Sequence, residues 1–213
     1  MEKYKGFYLP KGEEHYKKKI DRWGHYQKGE TNHAITFVKD FSAAYDVGAN
    51  IGFWSMMLLH VFKEVRAFEP VKEFRQCFAK NVKAANVKLE EFGLSDKTQQ
   101  KRIQWDRKAS GRASVSKSDM HLLPNMINEI TDLLPLDSLK VEKLSFIKLD
   151  CEGYEYFILK GAEKTIKKFK PIINIEDKFE RYGLERGESL KLLESWGAKL
   201  LGRYSDDCVY GWE

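Results

Sequence analysis

Three features of the sequence predict an α/β fold built on a parallel sheet. From about residue 41, short apolar β-prone runs alternate with segments of helical periodicity, as strands joined by crossover helices do. The first such unit carries a glycine turn between strand and helix, Asp46-Val47-Gly48-Ala49-Asn50-Ile51-Gly52. Acids recur where the strands end: Glu69, Asp150 with Glu152, and Glu176. Glycine turns and polar groups at the carboxyl ends of parallel strands mark the edge where open α/β sheets bind ligands.

The bulk numbers set limits. A chain of 213 residues, 42% apolar and 32% charged, can bury a sizeable core. Its net charge of +5 suits an anionic partner but falls short of a nucleic-acid signature. Cys77, Cys151 and Cys208 are an odd set without a C-x-x-C pair, which argues against a disulfide scaffold or structural zinc and for a reducing compartment. No apolar run approaches a membrane span, and Met1-Glu2-Lys3-Tyr4-Lys5 lacks the apolar stretch of a signal peptide. A cytoplasmic location is therefore expected.

Residues 1–40 form an extension ahead of the main domain, 41–213. Lys17-Lys18-Lys19 followed by Ile20 and Trp23 reads as an amphipathic helix, packed over the sheet by Tyr16, Ile20 and Trp23. A lid, or a basic aromatic surface that meets substrate, is the competing reading. His25 and His33 are candidate proton acceptors, although a lone histidine more often serves structure.

Ala43 to Val47 suits a buried strand, and Phe53, Met56, Met57, His60 and Val61 give the next helix its spacing. The loop between them has neither the G-x-G-x-x-G of a dinucleotide site nor the Gly-Lys-Ser/Thr of a P-loop. An acid before it, Asp46, suits a cationic ligand better than a phosphate. Val65 to Phe68 is the second strand, and Glu69 at its tip can accept both hydroxyls of a ribose. Acid, glycine loop, helix, strand and acid together suit S-adenosylmethionine, with its amino group and sulfonium near Asp46.

Pro70 opens a helix spaced by Phe74, Phe78 and Val82. Val87 to Phe92 alternates like a strand. Ser95 and Asp96 follow, at a third carboxyl end where an adenine can be hydrogen-bonded, though Gly-x-Ser-Asp is also ordinary turn chemistry. Segments 102–105 and 113–116 can pair as a hairpin around residues 108–111, either facing an anionic or hydroxylated substrate or as a surface loop. Leu144 to Leu149 reads as a central strand with Asp150 and Glu152 at its end and Gly153 permitting a sharp exit. One helix is expected after it, with Tyr154, Phe157, Ile158, Gly161, Ile166 and Phe169 on its apolar face. A strand through Pro171 to Glu176, a helix at 187–196 and two antiparallel edge strands around Ser205-Asp206-Asp207 complete the chain.

The glycine stretch followed by Phe68-Glu69-Pro70, then Leu136-Asp137-Ser138-Leu139, then Ile147-Lys148-Leu149-Asp150-Cys151-Glu152-Gly153-Tyr154-Glu155, resembles the FkbM-type methyltransferases. These are class I S-adenosylmethionine-dependent enzymes, mostly O-methyltransferases acting on hydroxyls of small metabolites or sugars. The likeness covers roughly residues 42 to 176. It implies a Rossmann-like, doubly wound sheet of about seven strands, the last antiparallel, behind a helical N-terminal extension. By motif position the cofactor-binding set is Asp46, Gly48, Ala49, Asn50 and Gly52 at the methionine end, Glu69 at the ribose, and Ser95 with Asp96 near the adenine. Cys151 departs mildly from the small apolar residue common there, and residues 1–40 match no family element.

Methyl transfer needs nucleophile, methyl carbon and sulfonium in line, and a hydroxyl nucleophile also needs a base. Asp150 and Glu152 are the expected catalytic residues. The blander alternative has Asp150 orienting the cofactor's amino group and Glu152 capping the next helix. No metal is expected. Were the carboxylate pair to hold a divalent cation, Glu176 would be the third ligand. The expected partner is a hydroxyl-bearing small molecule or glycan. An RNA or protein methyltransferase using the basic extension is less favoured, because Asp150-Cys151-Glu152-Gly153 stands where base N-methyltransferases carry an Asn/Asp-Pro-Pro-Tyr loop. A catalytically silent nucleoside-binding domain is the remaining alternative.

Overall fold

The computed structural model describes residues 1–116, 126–176 and 182–212. The chain opens with a short antiparallel hairpin, β1 (Glu2–Tyr4) and β2 (Phe7–Leu9), then α1 (His15–Trp23) and α2 (Lys28–Ile35). Next come β3 (Ala43–Val47), α3 (Phe53–Leu58), β4 (Glu64–Phe68), α4 (Lys72–Asn81) and β5 (Val87–Glu90). An insertion follows: β6 (Gly93–Leu94), β7 (Gln99–Asp106), β8 (Ala109–Val115) and β9 (Ile127–Leu134). After a 3-10 turn at Leu136–Ser138, the chain resumes with β10 (Phe146–Leu149), α5 (Glu155–Lys160), α6 (Glu163–Phe169), β11 (Ile172–Glu176), α7 (Glu188–Ser195), β12 (Lys199–Tyr204) and β13 (Asp207–Gly211).

The main sheet has seven strands in the order β12-β13-β11-β10-β3-β4-β5. β3, β4, β5, β10 and β11 run parallel, whereas β13 is antiparallel to both β11 and β12. The chain winds outward through β4 and β5, then returns to place β10 on the other side of β3. That reversal opens a crevice at the carboxyl ends of β3 and β10, the usual ligand site of such sheets. Register pairs Asp46 with Lys148 and Val47 with Leu149, so the glycine turn and Asp150 leave the sheet side by side.

Every residue of β3 and β10 is buried, as strands covered on both faces require. Tyr45, Val47, Ile147, Leu149, Ile173 and Ile175 belong to one apolar cluster, and Leu9, Tyr16 and Ile20 of the extension join it. Ala44, Val65, Phe146 and Val209 pack with Trp54, Leu58 and Phe62 in another. The extension thus shares the core of the sheet.

Several expectations need correction. The extension begins with a hairpin. In α1, Tyr16 and Ile20 are 2% exposed but Trp23 is 47% exposed and packs over no sheet. The 102–105 and 113–116 hairpin forms as β7 and β8, yet pairing reaches Asp106↔Ala109, so the turn is tighter than expected. It also belongs to a four-stranded sheet, β6-β9-β7-β8, whose β9 the polar run Ile127–Leu134 did not announce. Of the last two strands β12 alone lies at an edge, because β13 sits between it and β11. The single helix expected after β10 is two. At their junction a Cβ on Gly161 would lie 1.8 Å from the Ser95 carbonyl oxygen, so the close approach of these segments requires glycine there.

Candidate functional site

The floor of the site comes from the carboxyl ends of β3, β4 and β10. Gly48 takes φ +74°, and a Cβ there would meet the Asp150 carbonyl oxygen at 2.2 Å. Only glycine therefore lets the two motifs touch. Asn50 holds φ 49° by accepting the Ile51 N–H on its own Oδ1 (2.9 Å) and donating Nδ2 to the Ser110 carbonyl (3.1 Å). A cavity opens above Gly48, Ala49 and Asn50, with Glu69 at one side and Asp150 and Glu152 at another.

Glu69 accepts the N–H of Asn50 on one carboxylate oxygen and that of Val71 on the other, each at 2.8 Å. Each oxygen keeps a lone pair for a further donor. Burial pushes its pKa up to about 7, against the pull of those two N–H groups.

Asp46 is placed differently from its expected role. It is fully buried and does not line the cavity. One carboxylate oxygen accepts the Ser55 hydroxyl at 2.7 Å, and the other lies 3.3 Å from the Lys148 ammonium. Its charge is thus neutralised inside the protein instead of facing a cationic ligand. Lys148, 3% exposed, also donates to the carbonyls of Gly48 (2.8 Å) and Val47 (3.3 Å). Burial alone would favour the neutral amine, but Asp46 and Asp150 hold the ammonium above the usual lysine range. Sequence reasoning passed over Lys148. A lysine inside the apolar strand Phe146–Leu149 was the available signal, since such a charge needs a buried counter-ion.

Three other expected residues also lie off the cavity. Gly52 packs beneath it against Val82 and Phe78. Ser95 is fully buried, with its hydroxyl 3.0 Å from Asp96 Oδ1 and 3.1 Å from the Tyr154 hydroxyl, and Asp96 is exposed. Tyr154 does line the cavity, and its hydroxyl meets that of Ser95.

Carboxylate oxygens of Asp150, Glu152 and Glu176 all lie within 4.8 Å of one another. Such a set offers hard oxygen donors for a divalent cation. Asp150 accepts the Gln27 side-chain N–H at 3.3 Å, and the same amide's oxygen accepts the Trp54 indole N–H at 3.0 Å. Glu152 has φ 55° and is 8% exposed. The carboxylate of Glu155 holds the turn that carries Glu152, accepting the N–H of Cys151 (2.6 Å) and of Gly153 (3.3 Å). Burial raises Glu155 to about 7. Burial also pushes the Cys151 thiol well up, which disfavours the thiolate.

The roof comes from the extension, for which a lid was the competing reading, and from the inserted hairpin. Tyr16 and Tyr26 pack edge-on at 4.8 Å, and each meets Phe53, at 5.1 and 5.2 Å. Burial, reinforced by nearby carboxylates, raises both phenols well above tyrosine's usual value, so they stay neutral. Gln27 and the β8 segment Gly111 to Val115 complete the cover. Glu13, fully buried, fastens it: its carboxylate accepts the backbone N–H of Tyr16 (3.0 Å) and of Ser110 (2.7 Å), and the Ser110 hydroxyl. Ser110 in turn holds Asn50, so extension, insertion and glycine turn form one hydrogen-bonded chain. Under this roof the cavity is about 90 Å³, well below the ~300–1,000 Å³ of small-molecule sites.

A wider cavity of about 990 Å³ adjoins it, sharing Tyr26, Gln27, Gly111 and Glu152 and reaching Glu176. His25 lies at this cavity, whereas His33 packs between Phe37 and Tyr204 and lines neither.

A family model described as the methyltransferase FkbM domain matches residues 46–200. The solved structure of an FkbM methyltransferase from Methylobacillus flagellatus KT is 21% identical with a TM-score of 0.54, covering 80% of this chain and 43% of that one. The chain thus spans less than half of that protein. The N-methyltransferase NodS from Bradyrhizobium japonicum WM9 is 10% identical, TM-score 0.51, covering 91% of this chain and 94% of its own. A precorrin 8w decarboxylase from the Methanobacterium thermoautotrophicum genome is 13% identical, TM-score 0.51, covering 86% and 89%. At these identities the likeness is one of fold. No curated protein sequence matches the chain.

Proposed function

The chain belongs to the FkbM methyltransferase domain family, with S-adenosylmethionine as cofactor, and from this premise we propose that it methylates a hydroxyl oxygen of a small molecule or sugar. The observation that carries the reading is the convergence of Asp150, Glu152 and Glu176 at the crevice beside the glycine turn, with Glu69 across from them. That array offers carboxylate acceptors at both ends of a cavity and no phosphate cradle.

In this reading Glu69 accepts the ribose hydroxyls with the lone pairs its two N–H donors leave open. The backbone of Gly48, Ala49 and Asn50 lies along the nucleoside, and Tyr154 borders the adenine. The cofactor supplies an electrophilic methyl carbon on a sulfonium. Asp150, steadied by Gln27, orients the cofactor's amino group, while Glu152, which borders both cavities, serves as base. As the acceptor oxygen bonds to the methyl carbon and the carbon–sulfur bond breaks, the hydroxyl proton passes to the Glu152 carboxylate. The carboxylate trio favours a second version, in which Asp150, Glu152 and Glu176 would hold a divalent cation that would supply Lewis acidity toward the acceptor hydroxyl.

Calorimetry with S-adenosylhomocysteine tests the cofactor assignment, and uptake of NADH or ATP in its place would overturn it. With turnover in hand, Glu152→Gln should lower kcat by about 10²–10⁴-fold, while Asp150→Asn mainly weakens cofactor binding. Near-normal kcat in both variants would put the base elsewhere. Loss of activity in chelator, restored by Mg²⁺, would select the metal version. Retention on RNA that falls steeply with salt would favour the nucleic-acid alternative.

A further inference from the structure

The wide cavity has two unlike sides. One, built from α1 and β8, presents Lys19 and Arg112 with His15 and Trp23, and no carboxylate. The other, from α2 and the β12–β13 turn, carries Glu30 and Asp206 along with Lys28. The floor is acidic, with Glu152 and Glu176. The cationic side is firmly built. The N–H groups of Glu14 and His15 both bond the Lys108 carbonyl at 3.0 Å, tying α1 to the β7–β8 turn, and the Lys19 ammonium sits 4.6 Å from the Trp23 ring centroid.

Several cations near the cationic side are paired on the outer face. Outside the cavity, Lys17 pairs with Glu2, Arg107 with Glu73 and Lys108 with Glu14. Among the described residues, Lys19 and Arg112 on this side and Lys28 on the opposite side form no such ion pair, but Lys28 stands beside Glu30 and Asp206 at the cavity wall whereas the α1–β8 side lines it with no carboxylate. Two cations held to one side of an acid-floored cavity make a bipolar site.

We propose that this cavity holds the acceptor, and that the acceptor is a hydroxylated molecule carrying an oxyanion, a phosphate or a carboxylate, which Lys19 and Arg112 bind. The proposal rests on the methyl-transfer reading and adds the class of substrate. With the oxyanion on the α1–β8 side, the far end of the molecule reaches Glu152, where a hydroxyl donates to the carboxylate. The reverse pose sets oxyanion against carboxylates and is disfavoured by like charge. The site therefore selects an orientation as well as a charge.

The test uses the full chain saturated with S-adenosylhomocysteine, titrated with glucose 6-phosphate, glucuronate and neutral methyl glucoside. An anionic sugar should bind at least about tenfold tighter than the neutral one, and the stronger of the two anions identifies phosphate or carboxylate. Lys19→Ala with Arg112→Ala should erase that preference and leave the affinity for S-adenosylhomocysteine unchanged. Lys17→Ala with Lys108→Ala, on the outer face, should keep the preference. Equal binding of all three sugars, binding of none, or a preference that survives the first pair of substitutions would overturn the inference. Failure of the unaltered protein to bind S-adenosylhomocysteine would instead sink the function on which it rests.

Discussion

Below the cofactor cavity, β3, β4 and β10 fix their residues through continuous parallel ladders. Above it, Tyr16, Tyr26 and β8 meet the floor through apolar packing and few hydrogen bonds, Ser110 to Asn50 and Gln27 to Asp150, with Glu13 joining α1 to β8. Ladder bonds act cooperatively with a buried core, whereas a few latches can open at local cost without unfolding the sheet. The difference suits the work of each part. In the proposed function the floor presents acids and backbone to the nucleoside, and the roof narrows the cavity above it to about 90 Å³.

The sharpest way to break the floor is Lys148→Met. It strands the fully buried Asp46 carboxylate without its cation, and should cost about 3–5 kcal/mol in chemical denaturation. Asp46→Asn in the same chain should recover part of that loss. If Lys148→Met melts like the unaltered protein, the pair does not hold the floor.

The matching test of the roof is Glu13→Ala, which leaves the buried Ser110 and Tyr16 N–H groups without their acceptor. A loss of about 1–3 kcal/mol is expected. Amide exchange should quicken in α1 and β8 and stay slow in β3 and β10. Uniform quickening would mean that roof and floor unfold as one unit.

Acidity gives a smaller effect, centred on the floor. Glu69 and Glu155 have folded pKa values raised to about 7, and Asp207 to about 6. A carboxyl whose pKa is higher in the fold than in the unfolded chain adds stability below the unfolded value, and loses it as pH rises through the folded one. The ligand-free protein should therefore melt at higher temperature at pH 6 than at pH 8. Glu155→Gln should flatten that slope. The smallest expected change is at Trp23→Ala on the roof's outer surface, within about 0.5 kcal/mol.

The same division governs what the sequence reveals. The glycine turn and the strand-tip acids are legible because backbone geometry dictates them: Gly48 must be glycine to pass Asp150, and Glu69 must be an acceptor where two N–H groups converge. Asp46 was legible as a residue of importance but misread in role, since its partner Lys148 is about a hundred positions away and only strand register joins them. The roof had no such signature. Tyr16 was legible only as a packing residue of an amphipathic helix, and Gln27 and Ser110 are ordinary residues in sequence whose importance comes from tertiary placement alone. β9 escaped for a related reason, being a polar strand that pairs mainly with other inserted strands.

One bond described above gives the protein a built-in optical gauge. The Trp54 indole N–H is tied to the same Gln27 amide that steadies Asp150, and the ring is 2% exposed. Any lifting of residue 27 to let a nucleoside in would sever that tie and change the polarity around an intrinsic fluorophore. Emission at 295 nm excitation, compared between the native chain and Trp54→Phe, could then follow ligand entry in real time without a label.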